Sequence, residues 1–363
     1  MTAPGTVPPA PPGLAPRDIL RLGDGVVEML DQTRLPGEVV TVTLLGWEEV
    51  VDAIRAMVVR GAPAIGVAGA MGVALAARRA AGGGLAAVKE EVARAAAALR
   101  GARPTAVNLS AAVDGQAALA AAHPGPPEAL AAALADAARA LHADEVERCE
   151  RMGGHALGLM SRGARILTHC NTGALATGGY GTALGVVRAA FAADPTVRVV
   201  VAETRPLLQG ARLTAWELER EGIPYTLIAD VAAATLMASG RVTHVVVGAD
   251  RIAANGDVVN KVGTYGLAIL AREHGIPLIV AAPTTTLDPS TPAGSAVVIE
   301  ERAADEVRGL GLFGRPAAPE GARVANPAFD VTPARLVSAI VTEAGVHRPP
   351  YERSLRAALG TPS

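Results

Sequence analysis

The chain has 363 residues, of which 50% are hydrophobic and 19% charged, and its formal net charge is −2. This length predicts about two domains, and the composition can bury a large core, which excludes a mostly disordered chain. The near-neutral charge and the aromatic content of 2% argue against nucleic-acid binding. Only two cysteines are present, Cys149 and Cys170, which excludes a disulfide framework and predicts a reducing, cytoplasmic setting.

The first part of the chain, residues 17–150, is predicted to be a smaller, mainly helical domain. A flexible, proline-rich tail without the features of a secretory signal is expected before it, at residues 1–16. One strand is predicted at Val39–Leu45, and no apolar stretch reaches the ~20 residues of a membrane span. Helical spacing of apolar residues predicts Trp47–Val59, Ala62–Arg79, Leu85–Leu99, Ala106–Ala121 and Pro127–Arg151.

The second part, residues 151–350, alternates short apolar runs with helical segments, which predicts an open α/β layer with a parallel sheet. The predicted strands are Arg165–His169, Arg198–Ala202, Tyr225–Ala229, His244–Val247 and Leu278–Ala281. The helices predicted between them are Thr182–Ala193, Gly210–Glu221, Val231–Ser239 and Lys261–His274. We expect a long surface loop at Asp288–Gly321, a last helix within Pro327–Gly345 with Thr332 as its cap, and a tail at residues 351–363.

Polar or ionisable residues follow every predicted strand of the second part. Ligands of open α/β sheets bind beyond the carboxyl ends of the strands, so these segments are expected to face one crevice. A single acid in a turn is usually a cap, but five such clusters on one edge favour a functional site. The clusters are His169–Gly173, Glu203–Pro206, Asp230, Gly248–Arg251 and Ala282–Thr285.

Two segments of the first part have the pattern of an anion site. Arg60 precedes Gly61, Ala62 and Pro63, where a helix is predicted to begin, so free N–H groups and a guanidinium would lie together. Arg103 stands in the same way before the next predicted helix. Each arginine alone is consistent with a solvated surface residue, but the pair favours a phosphate ligand.

Other motifs are ambiguous or absent. The glycines of Gly178–Gly185 can serve an anion loop or close packing, and their spacing departs from the dinucleotide pattern, which disfavours a nucleotide-dependent dehydrogenase. Cys170 can be a nucleophile, a proton-transfer group or a buried apolar filler. Lys261 suits an anionic or hydroxylated ligand, or the surface. No serine-hydrolase elbow or histidine cluster is present, so neither a metal nor a cofactor is expected.

Six segments together resemble the S-methyl-5-thioribose-1-phosphate isomerases, whose superfamily includes regulatory subunits of translation initiation factor 2B. They are RGAPAIG from Arg60, RPTAVNL from Arg103, HCNTG from His169, ETRP from Glu203 with Gln209 and Gly210, GADR from Gly248, and NGD from Asn255 with NKVGTY from Asn260. The match runs from about Gly25 to Gly345. The resemblance implies a Rossmann-like C-terminal domain with helices on both faces, a helical N-terminal domain and a homodimer.

The resemblance also implies an aldose–ketose isomerase of methionine salvage that converts 5-methylthioribose 1-phosphate to 5-methylthioribulose 1-phosphate. It makes Asp250 the acid and Cys170 the second catalytic group. The residues implied to contact the sugar phosphate are Arg60, Gly61, Ala62, Arg103, Gln209, Asn260 and Lys261. A related sugar 1-phosphate, such as 5-deoxyribose 1-phosphate, and a non-catalytic regulatory protein remain alternatives.

The substrate's chemistry sets a requirement on the acid. The phosphate esterifies the anomeric oxygen, so ring opening needs an acid at the ring oxygen. Asp250 must then be protonated near neutral pH, which predicts a pKa raised by burial. A hydrogen must next move from C2 to C1, either as a proton through Cys170 and a cis-enediol or directly as a hydride.

Overall fold

The computed structural model describes residues 15–103, 106–309, 311–312, 315–316 and 318–360; the tail expected at the N-terminus lies outside them up to residue 14. The helices are α1 (Pro16–Ile19), α2 (Trp47–Arg55), α3 (Ala62–Ala80), α4 (Leu85–Ala102), α5 (Val107–Ala122), α6 (Pro127–Ala156), α7 (Ala174–Thr177), α8 (Ala183–Ala193), α9 (Ala215–Arg220), α10 (Ala233–Ala238), α11 (Thr264–Glu273), α12 (Asp305–Arg308) and α13 (Tyr351–Ala358). The strands are β1 (Leu20–Leu22), β2 (Val27–Leu30), β3 (Thr41–Leu44), β4 (Arg165–Thr168), β5 (Arg198–Ala202), β6 (Tyr225–Ile228), β7 (His244–Val247), β8 (Arg251–Ala253), β9 (Val258–Lys261), β10 (Leu278–Ala281), β11 (Leu287–Asp288), β12 (Gly311–Leu312), β13 (Arg315–Pro316), β14 (Phe329–Thr332), β15 (Ala339–Thr342) and β16 (Gly345–His347).

Helix α3 is the centre of the N-terminal region and packs against α4, α5 and α6. Small residues allow this close packing: a Cβ at Gly69 would lie 2.5 Å from Leu109 Cδ1. In the described chain, Ala62–Gly83 passes the length and composition test for a membrane span, but 78% of its most apolar window is buried. Its apolar character is therefore explained by its place in the core. The predicted boundary near residue 150 falls inside α6, which also packs against α8 and β15.

Seven strands form the large sheet in the order β16-β15-β10-β7-β4-β5-β6, and all neighbours are parallel except β15 and β16. Successive residues of β4 face opposite cores: Leu167 packs in a cluster with α10, α11 and α13, whereas Ile166 packs in a cluster with α6 and α8. Because helices cover both faces, the central strands β4, β5, β7, β10 and β15 are mostly apolar and buried, whereas the edge strand β6 is partly exposed. The five strands predicted here are confirmed to within one residue at each end.

The predicted helix within Pro327–Gly345 is wrong. This segment forms β14, a short 3-10 turn, β15 and β16 instead. The run of Ala339–Thr342 is buried on both faces beside β10, where β-branched residues pack well. Thr332 caps no helix; the N–H of Ala334 donates to Asp257 Oδ1 at 2.8 Å.

Two further expectations need correction. Residues 351–363 were expected to be a tail, but α13 begins there, with Tyr351 and Leu355 buried in the core one turn apart. The predicted helix at Lys261–His274 begins only at Thr264, because residues 258–261 form β9 and Gly263 has a φ of 106°. Strand β9 belongs to a second sheet, ordered β11-β8-β9-β14, that the sequence pattern did not reveal.

Candidate active site

A cavity of about 420 Å³ lies at the carboxyl ends of β4, β5, β7 and β10, against the first turn of α3. From β4 the chain continues outward to β5 and β6, and from β7 it continues outward to β10 and β15 on the other side of the sheet. Ligands of such sheets bind at the point between β4 and β7 where this direction changes. All nine residues predicted from the sequence line this one cavity: Arg60, Gly61, Ala62, Arg103, Cys170, Gln209, Asp250, Asn260 and Lys261.

The start of α3 forms one wall. Gly61 precedes the helix with a φ of 97°, and a Cβ there would lie 2.4 Å from the carbonyl oxygen of Ala176, so only glycine fits. The N–H of Ile65 donates to the Gly61 carbonyl, and Pro63 contributes no N–H. Among the residues that the structure describes, no side chain caps the helix. The first turn therefore presents free donors to the cavity, which is the arrangement that binds phosphate.

Arg60 is fixed beside this turn by the loop after β4. Its guanidinium donates to Asn171 Oδ1 at 2.7 Å and to the Asn171 carbonyl at 3.0 Å. The Asn171 amide in turn donates to Glu217 Oε1 at 2.8 Å, and Glu217 is fully buried in an ion pair with Arg188. A chain of charged and amide groups thus orients the arginine from the sheet side.

Cys170 is buried next to these groups in an unusual backbone conformation, with a φ of 65°. The predicted strand ended at His169, but β4 ends at Thr168, so Cys170 lies in the turn that follows. Its neighbour His169 is also buried, and its Nε2 lies 2.9 Å from the carbonyl oxygen of Val262. His169 is thus bound to the main chain of the turn between β9 and α11.

Asp250 follows β7 and lines the cavity, where its side chain is exposed to the cavity space. The protein groups packed around it reduce its solvation and so raise its pKa, and Glu300 adds to the rise, although Lys261, Arg60 and Arg103 lower it. The direction matches the requirement for a carboxyl group that carries a proton near neutral pH.

Asn260 and Lys261 end β9, on the same wall as Asp250, whose N–H donates to the Val259 carbonyl of β9. The Asn260 amide donates to Thr264 Oγ1 at 2.9 Å, which joins the strand to the first turn of α11. Lys261 Nζ donates to the Ala328 carbonyl at 2.7 Å and lies 4.8 Å from the centre of the Phe329 ring. The lysine is therefore held in place by β14, the strand that pairs with β9.

Gln209 reaches the cavity from the turn after β5, where a π-helical segment, Gly210–Thr214, begins. The amide oxygen of Gln209 is buried and has no hydrogen-bond partner among the described residues. Buried polar atoms are normally satisfied, so this oxygen is available to a bound hydroxyl group.

One wall of the cavity was not predicted from the sequence. The segment Asp288–Gly321 was expected to be a surface loop away from the motifs, but Val297, Glu300 and Arg302 line the site. It pairs with the chain before β14: the N–H of Ala328 donates to Glu300 and that of Arg302 to Asn326. The composition of this segment is that of a loop, and it has no periodicity that would predict pairing with a distant part of the chain. The only sequence feature that could have indicated a role in the site is the charged run that begins at Glu300.

Not every polar cluster reaches the cavity. Asp230 accepts hydrogen bonds from the N–H groups of Thr204 and Arg205 at 2.8 Å each, and so supports the turn after β5 from outside. In the glycine-rich segment, a Cβ at Gly181 would lie 2.7 Å from Gly173 Cα, which supports the close-packing interpretation. Pro104 and Thr105, after Arg103, lie outside the described residues.

Within the described residues, no group of three or more His, Cys, Asp and Glu side chains is placed to hold a metal ion. The site instead combines guanidinium groups, helix N–H donors, an ammonium group, a thiol and a carboxyl of raised pKa. The cationic groups and helix N–H donors can bind a phosphate ester. Asp250 and Cys170 can transfer protons to and from the atoms of the ligand that lie beside them.

The fold and this arrangement place the chain in a known class: it belongs to the initiation factor 2 subunit family, whose profile matches residues 58–349. Within that family it is similar to isomerases. It is 53% identical over 335 residues to a methylthioribose-1-phosphate isomerase from Pelotomaculum thermopropionicum, covering 92% of each chain. It is 52% identical over 333 residues to a 5-deoxyribose 1-phosphate isomerase from Moorella thermoacetica, covering 92% of this chain and 94% of the relative.

Two solved structures are also similar to this chain. The 5-methylthioribose 1-phosphate isomerase of Pyrococcus horikoshii superposes with a TM-score of 0.89 at 39% identity, covering 96% of this chain and 98% of that chain. A protein from A. fulgidus described as the delta subunit of translation initiation factor eIF-2B superposes with a TM-score of 0.85 at 42% identity, covering 94% and 98%. The family resemblance inferred from the six segments is confirmed.

Proposed function

We propose that this protein converts 5-methylthioribose 1-phosphate to 5-methylthioribulose 1-phosphate in methionine salvage, without a cofactor. The observation that carries the proposal is the convergence of all nine predicted residues on one cavity that is lined by an acid of raised pKa. The names of the isomerase relatives, at 50% identity or more over nine-tenths of the chain, support it.

The phosphate is bound by the wall that α3 and Arg60 form. In this proposal the free N–H groups after Gly61 and the guanidinium groups of Arg60 and Arg103 hold its oxygens. Gln209, Asn260 and Lys261 contact the rest of the sugar phosphate. Arg60 donates to Asn171, the residue that follows Cys170 in the chain. A phosphate held by Arg60 therefore places the sugar carbons beside the thiol.

Asp250 donates its proton to the ring oxygen, which opens the ring of a sugar that has no free anomeric hydroxyl. The resulting cationic, phosphorylated carbonyl at C1 then receives the hydrogen from C2. Cys170 either removes that hydrogen as a proton and returns it to C1 through a cis-enediol, or lines the path of a direct hydride shift. In both routes the C2 hydroxyl then loses its proton to the Asp250 carboxylate, which leaves the C2 ketone and restores the acid. Reaction in deuterated water separates these routes, because only the enediol route introduces deuterium at C1.

The direct test is turnover of 5-methylthioribose 1-phosphate by the purified protein, followed by NMR, with 5-deoxyribose 1-phosphate run alongside. The second sugar is included because a 52% identical relative is named for it. We expect conversion of the methylthio sugar with the higher kcat/KM. Absence of turnover of both sugars by folded protein contradicts the proposal and favours a regulatory role.

Three coarser features accompany this function. We propose a Rossmann-like catalytic domain, supported by six parallel strands that run from β6 through β4 and β7 to β15. We propose a homodimer, supported by the edge strand β6 and the turn after it, where Leu227 is half-exposed and Val231 is 90% exposed. We also propose a cytoplasmic location, supported by the free thiols of Cys149 and Cys170. Size-exclusion chromatography with light scattering tests the dimer, and a monomer contradicts it.

A further inference from the structure

The main chain at Cys170 has a conformation that residues other than glycine rarely adopt. Among the described residues, four non-glycine residues have a positive φ: Met57, Cys170, Thr204 and Leu208. Met57 and Cys170 line the cavity, Leu208 precedes Gln209, and Thr204 contacts Cys170 directly. Strain of this kind persists only where neighbouring groups impose it, so the groups that hold Cys170 can be identified from its hydrogen bonds.

Two threonine hydroxyl groups satisfy both polar groups of the Cys170 main chain. The Cys170 N–H donates to Thr204 Oγ1 at 2.8 Å, and Thr214 Oγ1 donates to the Cys170 carbonyl at 2.7 Å. Both threonines are fully buried. We call these two residues the threonine clamp; it holds Cys170 through the peptide groups on both sides of its Cα.

The clamp is itself locked into the fold. A Cβ at Gly210 would lie 1.8 Å from the Ala202 carbonyl and 2.9 Å from Thr204 Oγ1, so the π-helical segment that carries Thr214 packs directly on the turn that carries Thr204. Asp230 accepts from the N–H of Thr204 and holds that turn from the other side. π-Helical turns are rare and are frequently found at functional sites.

The side chain of His169 lies beside the clamp. His169 Nε2 must donate to the Val262 carbonyl, because a carbonyl oxygen only accepts. Burial lowers the pKa of His169, so the ring is neutral and its Nδ1 accepts. The Thr204 hydroxyl accepts from the Cys170 N–H and has two acceptors within reach of its one proton, the Ala202 carbonyl at 3.1 Å and His169 Nδ1 at 3.3 Å. Either bond fixes the orientation of the hydroxyl that accepts from Cys170.

We propose that Thr204 and Thr214 are positioning residues, which hold Cys170 at the cavity wall through their hydroxyl groups and thereby support the hydrogen transfer. The kinetic part of this inference rests on the proposed isomerase function. The inference does not require either threonine to touch the substrate, and it makes the hydroxyl group, not the size of the side chain, the functional feature.

The test compares Thr204→Val and Thr214→Val with Thr204→Ser and Thr214→Ser. Valine keeps the shape and removes the hydroxyl, whereas serine keeps the hydroxyl. Thr168→Val is the matched control: it lies two residues before Cys170, and its buried hydroxyl has no partner among the described residues. Thr214 has an ordinary helical φ of −66°, so its valine variant tests the clamp even if Thr204→Val does not fold.

In turnover of 5-methylthioribose 1-phosphate, we expect each valine variant to lower kcat by about tenfold to a hundredfold, with KM changed less than about threefold. The serine variants and Thr168→Val should stay within about threefold of the unchanged protein. Valine variants with unchanged kcat overturn the inference. Serine variants as impaired as the valine variants also overturn it, because the hydroxyl is then not the feature that matters.

A second readout does not depend on the activity. Iodoacetamide alkylation of Cys170 is followed by mass spectrometry of its peptide, with Cys149 as the internal buried reference. We expect the rate at Cys170 to rise at least about threefold in the valine variants and to stay unchanged in the serine variants and in Thr168→Val. If the unchanged protein lacks turnover, the proposed function fails, but equal alkylation rates in all variants are what would overturn the clamp.

Discussion

The two walls of the cavity are built in different ways. The wall around Arg60 and α3 is made of helix N–H donors and a guanidinium group, and it concentrates positive charge. The wall around Asp250 and Lys261 combines opposite charges, and the reduced solvation of Asp250 raises the pKa of its carboxyl although Lys261 lowers it. Phosphate binding and proton donation are thereby separated, so a substitution on one wall should change binding and a substitution on the other should change the chemical step.

Asp250→Asn gives the largest expected effect. An amide cannot protonate the ring oxygen, so kcat should fall by about a hundredfold to ten-thousandfold, with KM within a few fold. Steady-state kinetics measures both constants. Asp136→Asn, whose carboxylate is exposed on α6 and does not line this cavity, is the control. Retained kcat in Asp250→Asn would show that another group is the acid.

Gly61→Ala tests how the phosphate wall is built. The added Cβ meets the Ala176 carbonyl at 2.4 Å at a φ of 97°, so we expect the free energy of unfolding to fall by roughly 2–4 kcal/mol. Gly115→Ala is the matched control, because nothing lies within 4 Å of its added Cβ in α5, and it should stabilise the protein by about 0.5–1 kcal/mol. Denaturant unfolding measures both; equal effects would contradict the packing argument.

Arg60→Ala should raise KM by roughly tenfold to a hundredfold, because it removes a charged contact to the phosphate, while kcat changes less. Kinetics with saturating and limiting sugar phosphate separate the two constants. Arg55→Ala, an exposed arginine of α2, is the control. A fall in kcat alone would place Arg60 with the acid wall instead.

The smallest expected effect is a shift in the pH dependence. Asp250 acts in its protonated form, so kcat should decline as pH rises through its raised pKa. Glu300 is one cause of that rise, and its removal in Glu300→Gln makes the deprotonated form easier to reach. The midpoint of the decline should therefore move to lower pH, by about half a pH unit. An unchanged or higher midpoint would contradict the assignment.

The sequence predicted those parts of the molecule in which one local pattern determines the structure. The apolar runs of β4, β5, β7 and β10 and the motifs around Arg60 and Cys170 were sufficient to place the site at one sheet edge. The pattern of Pro327–Gly345 was misleading, because helical spacing and a buried central strand are both compatible with the run at Ala339–Thr342. Glu300 was missed because its position depends on pairing with the distant Ala328.

The main chain of Ala328 joins the unpredicted wall that contains Glu300 to the wall that contains Lys261. Its N–H donates to the Glu300 carbonyl, and its own carbonyl accepts from Lys261 Nζ and from the N–H of Val262. Since no side-chain atom of Ala328 takes part, these contacts do not depend on which small residue stands at position 328, except that proline would remove the donor. The identity of the side chain at this position therefore gives no sign of the role that its main chain has in shaping the wall.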